Sequence, residues 1–341
     1  MSGPPWSNTK TRICRRAGGS AAGSRGGRLK WNIVQDIVHI GRDGWLFLVG
    51  GSNNVLDQYR EDAFPPQHFQ AWRRLLEDRV RRARGVGARY FHVAVPEKLS
   101  ILADHSDVPV DPDRAPSLAL RRWLRNSLAW GSLIDLSTSY RSDPDRESLY
   151  LKTDSHWSLL GCHRAYLSIC ARMGVRPQVR LVPADPALAS LSGDLGTKFP
   201  THRSEVLLAW TYPRTAERVH VNAYLHRILT ERGATGGGVG TQAVFRNEAP
   251  GIDPRRIILC GDSFAHHAFL PHVGTLTAMF AETFHEVYFF WATTVDWSHA
   301  SELRPDFILT EIAERFMVTI PPADFEHDKF GRQMEALSFG S

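Results

Sequence analysis

Cysteine is scarce in this sequence and long apolar runs are missing, and each absence removes a class of protein. Four cysteines (Cys14, Cys162, Cys170, Cys260) stand in 341 residues without one CxxC pair. Neither a disulfide framework nor a zinc ribbon is therefore expected. Cys162 and Cys170 fall on a predicted helix and Cys260 closes a predicted strand, so all three read as small core residues. No run approaches the ~18 apolar residues of a transmembrane helix, and none is expected. Residues 1–30 lack the apolar stretch of about 7–15 residues that a secretory signal carries. Arg15-Arg16 is not followed by such a stretch either, which argues against a twin-arginine signal. As written, the chain is expected in a reducing compartment. The loop 233–240 is rich in glycine but lacks the Gly-Lys-Ser/Thr ending of a P-loop, so it is not expected to cradle phosphate.

The charge that is present is uneven. The net charge is +5, yet residues 1–30 hold seven basic residues and no acid, leaving 34 basic against 36 acidic residues in the remainder. That remainder lacks the basic balance of a nucleic-acid reader. The tail is too rich in Gly, Ser and Arg to fold alone and is expected to be disordered. With 43% hydrophobic residues, 31–341 has enough apolar content for one sizeable domain. Ten Trp and seventeen Phe suit a packed interior or a saccharide-facing surface.

The remainder alternates strand and helix signals. Ile40–Leu48 reads as two short strands about an Asp43-Gly44 turn. Phe69, Trp72, Leu75, Leu76 and Val80 recur at helical spacing, ending near Gly85 and Gly87. Tyr90–Val95, Leu133–Leu136, Arg256–Cys260, Glu286–Phe290 and Asp306–Leu309 read as strands. Pro116–Trp123 and Trp157–Met173 read as helices, the second preceded by the cap-type residues Thr153, Asp154 and Ser155. This pattern predicts an α/β three-layer sandwich with a mostly parallel sheet. Residues 183–250, rich in Pro and Gly, break the rhythm and read as a β-rich insertion, a lid or acceptor-binding flap.

Two motifs carry chemistry. Gly261-Asp262-Ser263 follows an apolar strand, and a glycine there permits a sharp turn that projects Ser263 at the sheet's carboxyl end, where ligands of such sheets sit. A serine nucleophile needs a base held in one tautomer by a third group. Asp154-Ser155-His156 can supply both, since residues i and i+2 of an extended loop point the same way. The bland alternative makes His156 a helix N-terminal residue capped by Asp154. Asp262, beside the nucleophile, is expected to point away from the base. His266, His267 and His272 lack a further acidic or cysteine ligand at helical spacing, so they read as the site's mouth rather than a metal centre. No metal or cofactor is expected beyond an acyl donor as co-substrate. Tyr288, Phe289 and Phe290 read as core, and Trp291 as core or sugar platform.

At this point the sequence resembles the SGNH-hydrolase-like alginate O-acetyltransferases, which acetylate exported bacterial polysaccharides. The resemblance rests on Gly41–Phe47, Val95-Pro-Glu-Lys98, Leu151–Trp157 with its Asp-x-His-Trp, Gly193-Asp194-Leu195, Gly261-Asp-Ser-Phe264 and Glu314-Arg315-Phe316. It covers most of residues 36–320. It implies an SGNH-hydrolase-like fold in circularly permuted order, with Ser263 as nucleophile and His156 and Asp154 completing a triad. The expected reaction is O-acyl transfer to a carbohydrate hydroxyl through an acyl-enzyme, the acyl group passed from a membrane-bound acyltransferase. An esterase using the same triad and a non-catalytic carbohydrate-binding module are the alternatives. The Ser263 backbone, Gly261, Lys98, His266, His267 and Trp157 are the candidate oxyanion or substrate-binding groups, and Arg315 reads as structural. The resemblance places the protein at the cell envelope, whereas the N-terminus as written places it in the cytoplasm.

Overall fold

The computed structural model describes residues 33–34, 37–233 and 235–340. The basic tail 1–30 and Cys14 lie outside them. A small antiparallel sheet comes first, of β1 (Ile33–Val34), β2 (Val38–Ile40) and β3 (Leu46–Leu48). The chain reverses between β2 and β3 at Asp43 (φ 52°) and Gly44 (φ 81°), the turn expected there.

The strands that follow are β4 (Arg89–Val95), β5 (Leu133–Asp135), β6 (Val182–Leu191) and β7 (Glu205–Thr211). Then come β8 (Glu217–Val221), β9 (Gln242–Arg246), β10 (Asp253–Gly261), β11 (Phe284–Trp291) and β12 (Phe307–Ala313). Among the described residues, seven of them form the central sheet in the order β5-β4-β12-β10-β11-β9-β8. The run from β5 to β11 is parallel, and β9 and β8 extend it antiparallel.

Why the strands read as continuous apolar runs is visible in β10. Ile257 and Leu259 enter one core, while Ile258 and Cys260 enter the other. β12 alternates likewise, with Phe307 and Leu309 on one side and Ile308 and Ile312 on the other. Helix Leu159–Met173 packs on the first face; helices Pro66–Gly85 and Pro116–Leu124 cover the second. A parallel sheet needs this cover on both faces. Each fully buried Ile or Leu contributes ~1.5–3 kcal/mol, so the register of β10, and with it the point where the strand ends, is strongly held. Cys162, Cys170 and Cys260 are free and buried in these cores.

Two expectations change. Residues 183–250 are not one unit: among the described residues β6 and β7 pair only with each other, whereas β8 and β9 join the central sheet, with helix Ala223–Arg232 between them. β8 is an edge strand, mostly exposed, and so has little apolar signature. The second helix begins at Leu159 rather than Trp157, and its cap is Ser158, whose side chain accepts from the Gly161 N–H. Thr153, Asp154 and Ser155 therefore lie in a loop ahead of the helix. No helix among the described residues is long and apolar enough to cross a membrane.

Candidate active site

β10 ends at Gly261, and the turn beyond it is held against β12. The Asp262 N–H donates to Glu311 Oε2 at 3.0 Å, and Asp262 Oδ2 accepts from the Ala313 N–H at 2.7 Å. Asp262 Oδ1 accepts from the Phe264 N–H at 3.0 Å. Both oxygens of the carboxylate are thus engaged in shaping the turn. A side chain at Gly261 is excluded, because a Cβ there would lie 2.6 Å from Ala265 Cβ and 2.7 Å from Glu311 Oε2. Burial, then the Asp262 charge, pushes the Glu311 carboxyl well above its usual range.

Ser263 emerges from this turn half-buried. Its hydroxyl lies 2.8 Å from His156 Nε2, although 107 residues separate the two. His156 Nδ1–H donates to Asp154 Oδ1 at 2.7 Å, which leaves the Nε2 lone pair facing the serine. The same Asp154 oxygen accepts from the His156 N–H at 2.8 Å. Burial alone would raise the Asp154 carboxyl. The hydrogen bonds from His156, with its charge and the Asp194 amide, overcome this and hold the carboxyl well below its usual range. The imidazole also rests on Phe264, with ring centroids 4.7 Å apart. Orienter, base and hydroxyl form one hydrogen-bonded line, an arrangement able to take the serine proton. The Ser263 N–H donates to no backbone or side-chain acceptor among the described residues.

The loop that carries His156 is tied down residue by residue. Asp154 Oδ2 accepts from the Asp194 N–H at 2.9 Å, while the Asp194 carboxylate accepts from the Ser155 N–H at 2.6 Å and its hydroxyl at 2.7 Å. This close approach requires glycine next door, since a Cβ at Gly193 would lie 2.5 Å from Asp154 Cβ. Glu205, at the root of the β6–β7 ribbon, accepts from the Lys152 and Thr153 amides and from the Thr153 hydroxyl, at 2.7–2.9 Å. Lys98 is buried beneath, donating to the carbonyls of Leu151 (2.7 Å), Lys152 (3.2 Å) and Asp154 (2.7 Å). Burial lowers its pKa to about 8 against the pull of the nearby Asp154, Glu205, Asp194 and Glu97 charges. Arg315 pairs with Glu97 at 3.0 Å inside the protein, its guanidinium over the Phe264 ring.

A family model described as "SGNH hydrolase-like domain, acetyltransferase AlgX" matches residues 38–235. The chain belongs to this family. The matched span includes Asp154, His156 and Asp194; Ser263 lies beyond it. Solved structures extend the likeness over most of the chain. The O-acetyltransferase domain of Pseudomonas putida AlgJ has a TM-score of 0.55 at 16% identity, over 88% of this chain and 99% of its own. Bacillus cereus PatB1 with a sulfonyl adduct has 0.54 at 13%, over 86% and 98%. Pseudomonas aeruginosa AlgX has 0.51 at 13%, over 83% of this chain and 63% of its own. At such identities the likeness is one of fold. None of the curated proteins matches the sequence.

The acetyltransferase-family chain thus brings Ser263, His156 and Asp154 together, and it places the other candidates differently. Lys98 and Trp157 sit behind the site: Trp157 is fully buried, donating to the Gly274 carbonyl at 2.6 Å and meeting Phe264 edge-on. Gly261 is paired with Trp291 in the sheet, so its role is close approach within the turn. His267 donates from Nε2 to the Gly236 carbonyl at 2.7 Å, and its Nδ1 accepts from Arg218 at 3.2 Å. His266 Nδ1 accepts from the Ala268 N–H at 2.9 Å, and the ring bonds the Thr235 backbone and abuts Trp291. These two histidines and Trp291 seat the glycine-rich loop, and burial lowers the pKa of His266 to about 3 and of His267 to about 4. Asp154, His156 and Asp194 also offer donor atoms within 4.8 Å of one another, but both nitrogens of His156 are engaged with Asp154 and Ser263. Sequence reasoning missed Glu205 as an anchor, since nothing local marks it. Gly193-Asp194 carried a cue in the family resemblance but no role.

Proposed function

We propose that this chain is a serine-dependent O-acetyltransferase that moves an acetyl group, through an acyl-enzyme on Ser263, to a carbohydrate hydroxyl. The observation that carries the reading is the Ser263–His156–Asp154 line, with contacts of 2.8 and 2.7 Å. His156 Nε2 takes the Ser263 proton as Oγ attacks the acyl carbonyl carbon. The tetrahedral oxyanion is met by the Ser263 N–H. Collapse expels the donor's leaving oxygen, which takes the proton from His156, and the acyl group stays on Oγ. A sugar hydroxyl then gives its proton to His156 and attacks the acyl-enzyme; the second collapse returns the proton to Ser263. Asp154 stays ionised throughout, holding the tautomer and offsetting the imidazolium charge. The family match and the fold shared with an AlgJ O-acetyltransferase domain support transfer rather than hydrolysis as the reaction class.

A sulfonyl fluoride is expected to label Ser263 stoichiometrically, and Ser263→Ala and His156→Ala to abolish acyl-enzyme formation while keeping a native circular-dichroism spectrum. Wild-type turnover of p-nitrophenyl acetate by Ser263→Ala would refute the assignment. Incubation with an acetyl donor and candidate saccharides separates the alternatives. Acetylated sugar is the expected product; acetate alone would make the protein an esterase, and no labelling at all would make it a binding module.

A further inference from the structure

A second cluster of chemistry-bearing side chains lies beyond the end of β11, sharing no residue with the Ser263 site. Asp296 caps the short helix Trp297–Leu303, its Oδ1 accepting from the Ser298 and His299 amides at 3.0 and 3.2 Å. The other oxygen, Oδ2, faces the first residue of the C-terminal helix His327–Phe339 and accepts from the His327 N–H at 2.9 Å. His327 is 3% exposed, and its Nε2–H donates to the Thr294 carbonyl at 2.9 Å. Nδ1 is then the lone-pair nitrogen, buried and without a hydrogen-bond partner among the described residues. A ligating histidine has this form: one nitrogen fixed by a carbonyl, the other free for an ion.

His299 is the third donor. Its Nδ1 lies 3.0 Å from Asp296 Oδ2, and this contact with the carboxylate raises the pKa of His299. Its Nε2 turns to the Asp328 carboxylate at 3.5 Å, a second fixing partner. Donor atoms from Asp296, His299 and His327 all fall within 4.8 Å of one another.

We propose that Asp296, His299 and His327 form a divalent transition-metal site that pins the C-terminal helix to the segment leaving β11. Two imidazoles and one carboxylate suit zinc or a similar borderline ion rather than calcium or magnesium, which take oxygen ligands. Of the three donors Asp296 lines an open cavity of about 440 Å³, together with Ser298, Glu326 and Phe330. The role is structural. The C-terminal helix lies over Gly240, and its Asp328 accepts from Gln242 Nε2 at 3.1 Å, so the ion secures the helix that covers the glycine-rich loop.

The test uses the untagged full chain, loaded with Zn²⁺, dialysed, and assayed for bound metal by mass spectrometry. About one equivalent is expected to remain in the wild type, with a thermal midpoint raised by the ion. The same is expected of His156→Ala, which disrupts the only other group of such donors among the described residues. His327→Gln and the half-exposed His299→Asn are expected to lose both the metal and the shift; should His327→Gln fail to fold, His299→Asn decides. Wild-type protein that retains no zinc overturns the proposal. So does zinc that survives His299→Asn or is lost in His156→Ala.

Discussion

Lys98 illustrates how a charge can serve a reaction without touching it. Its ammonium satisfies three carbonyls of the loop bearing Asp154 and His156, and leaving buried carbonyls unpaired costs about 1–3 kcal/mol. Lys98→Met is expected to lower stability by roughly that amount, read from urea unfolding at pH 7. Its pKa falls from 10.5 to about 8 on folding because burial penalises the charge. Between those values the unfolded chain binds more protons than the folded one, so the Lys98 contribution to stability rises with pH across that window. Lys98→Met should flatten that slope. Asp194 acts one bond further out, holding Ser155 while its amide holds Asp154. Misplacement of a base by about 1 Å can cost ~10²-fold in rate, so Asp194→Ala is expected to lower kcat ~10–100-fold with KM little changed. Steady-state kinetics on an ester substrate check this.

At the level of elements, the strands and helices were largely legible. β10 and β12 declared themselves because both faces of a parallel strand are apolar, and helix Pro66–Gly85 because its apolar residues share one face. The start of helix Leu159–Met173 was misplaced for an instructive reason. Thr153, Asp154 and Ser155 are all cap-type residues, but each is engaged elsewhere: Thr153 by Glu205, Asp154 by His156 and Ser155 by Asp194. The cap falls to Ser158. Ser158→Ala is expected to cost about 1 kcal/mol, the usual price of a lost N-cap, as a shift in the urea midpoint at unchanged slope. The β6–β7 ribbon is anchored to the same loop through Glu205. Glu205→Ala should therefore reduce turnover although β7 supplies no atom to the Ser263–His156–Asp154 line.

For the molecule as a whole, the buried histidines contribute to the loss of stability in acid. Burial lowers the pKa of His92 and His266 to about 3 and of His267 to about 4, from 6.5 in the unfolded chain. The unfolded state binds more protons below about 6.5, so their stabilisation is complete above that pH and drains away as pH falls towards about 4 and 3. Urea midpoints measured from pH 7.5 down to 4 are expected to fall most steeply below 6.5. His267→Gln should lessen that dependence even if it lowers the plateau.

The residues of the Ser263 site were readable from the chain because their cues are local: a glycine and serine after an apolar strand, and a carboxylate two residues before a histidine. Local pattern also carried the alternation of elements and hence the layered class. What the chain order did not contain is adjacency. The sheet runs β5-β4-β12-β10-β11, so β12 lies between β4 and β10 and brings Glu311, Glu314 and Arg315 beneath residues more than 40 positions away. That non-sequential pairing places Glu311 under the Ser263 turn and Arg315 on Glu97. Loop packing adds Lys98 under the Asp154 loop and Asp194 beside it. Each is a contact between segments distant in sequence, held by burial and hydrogen bonds that arise when the sheet assembles.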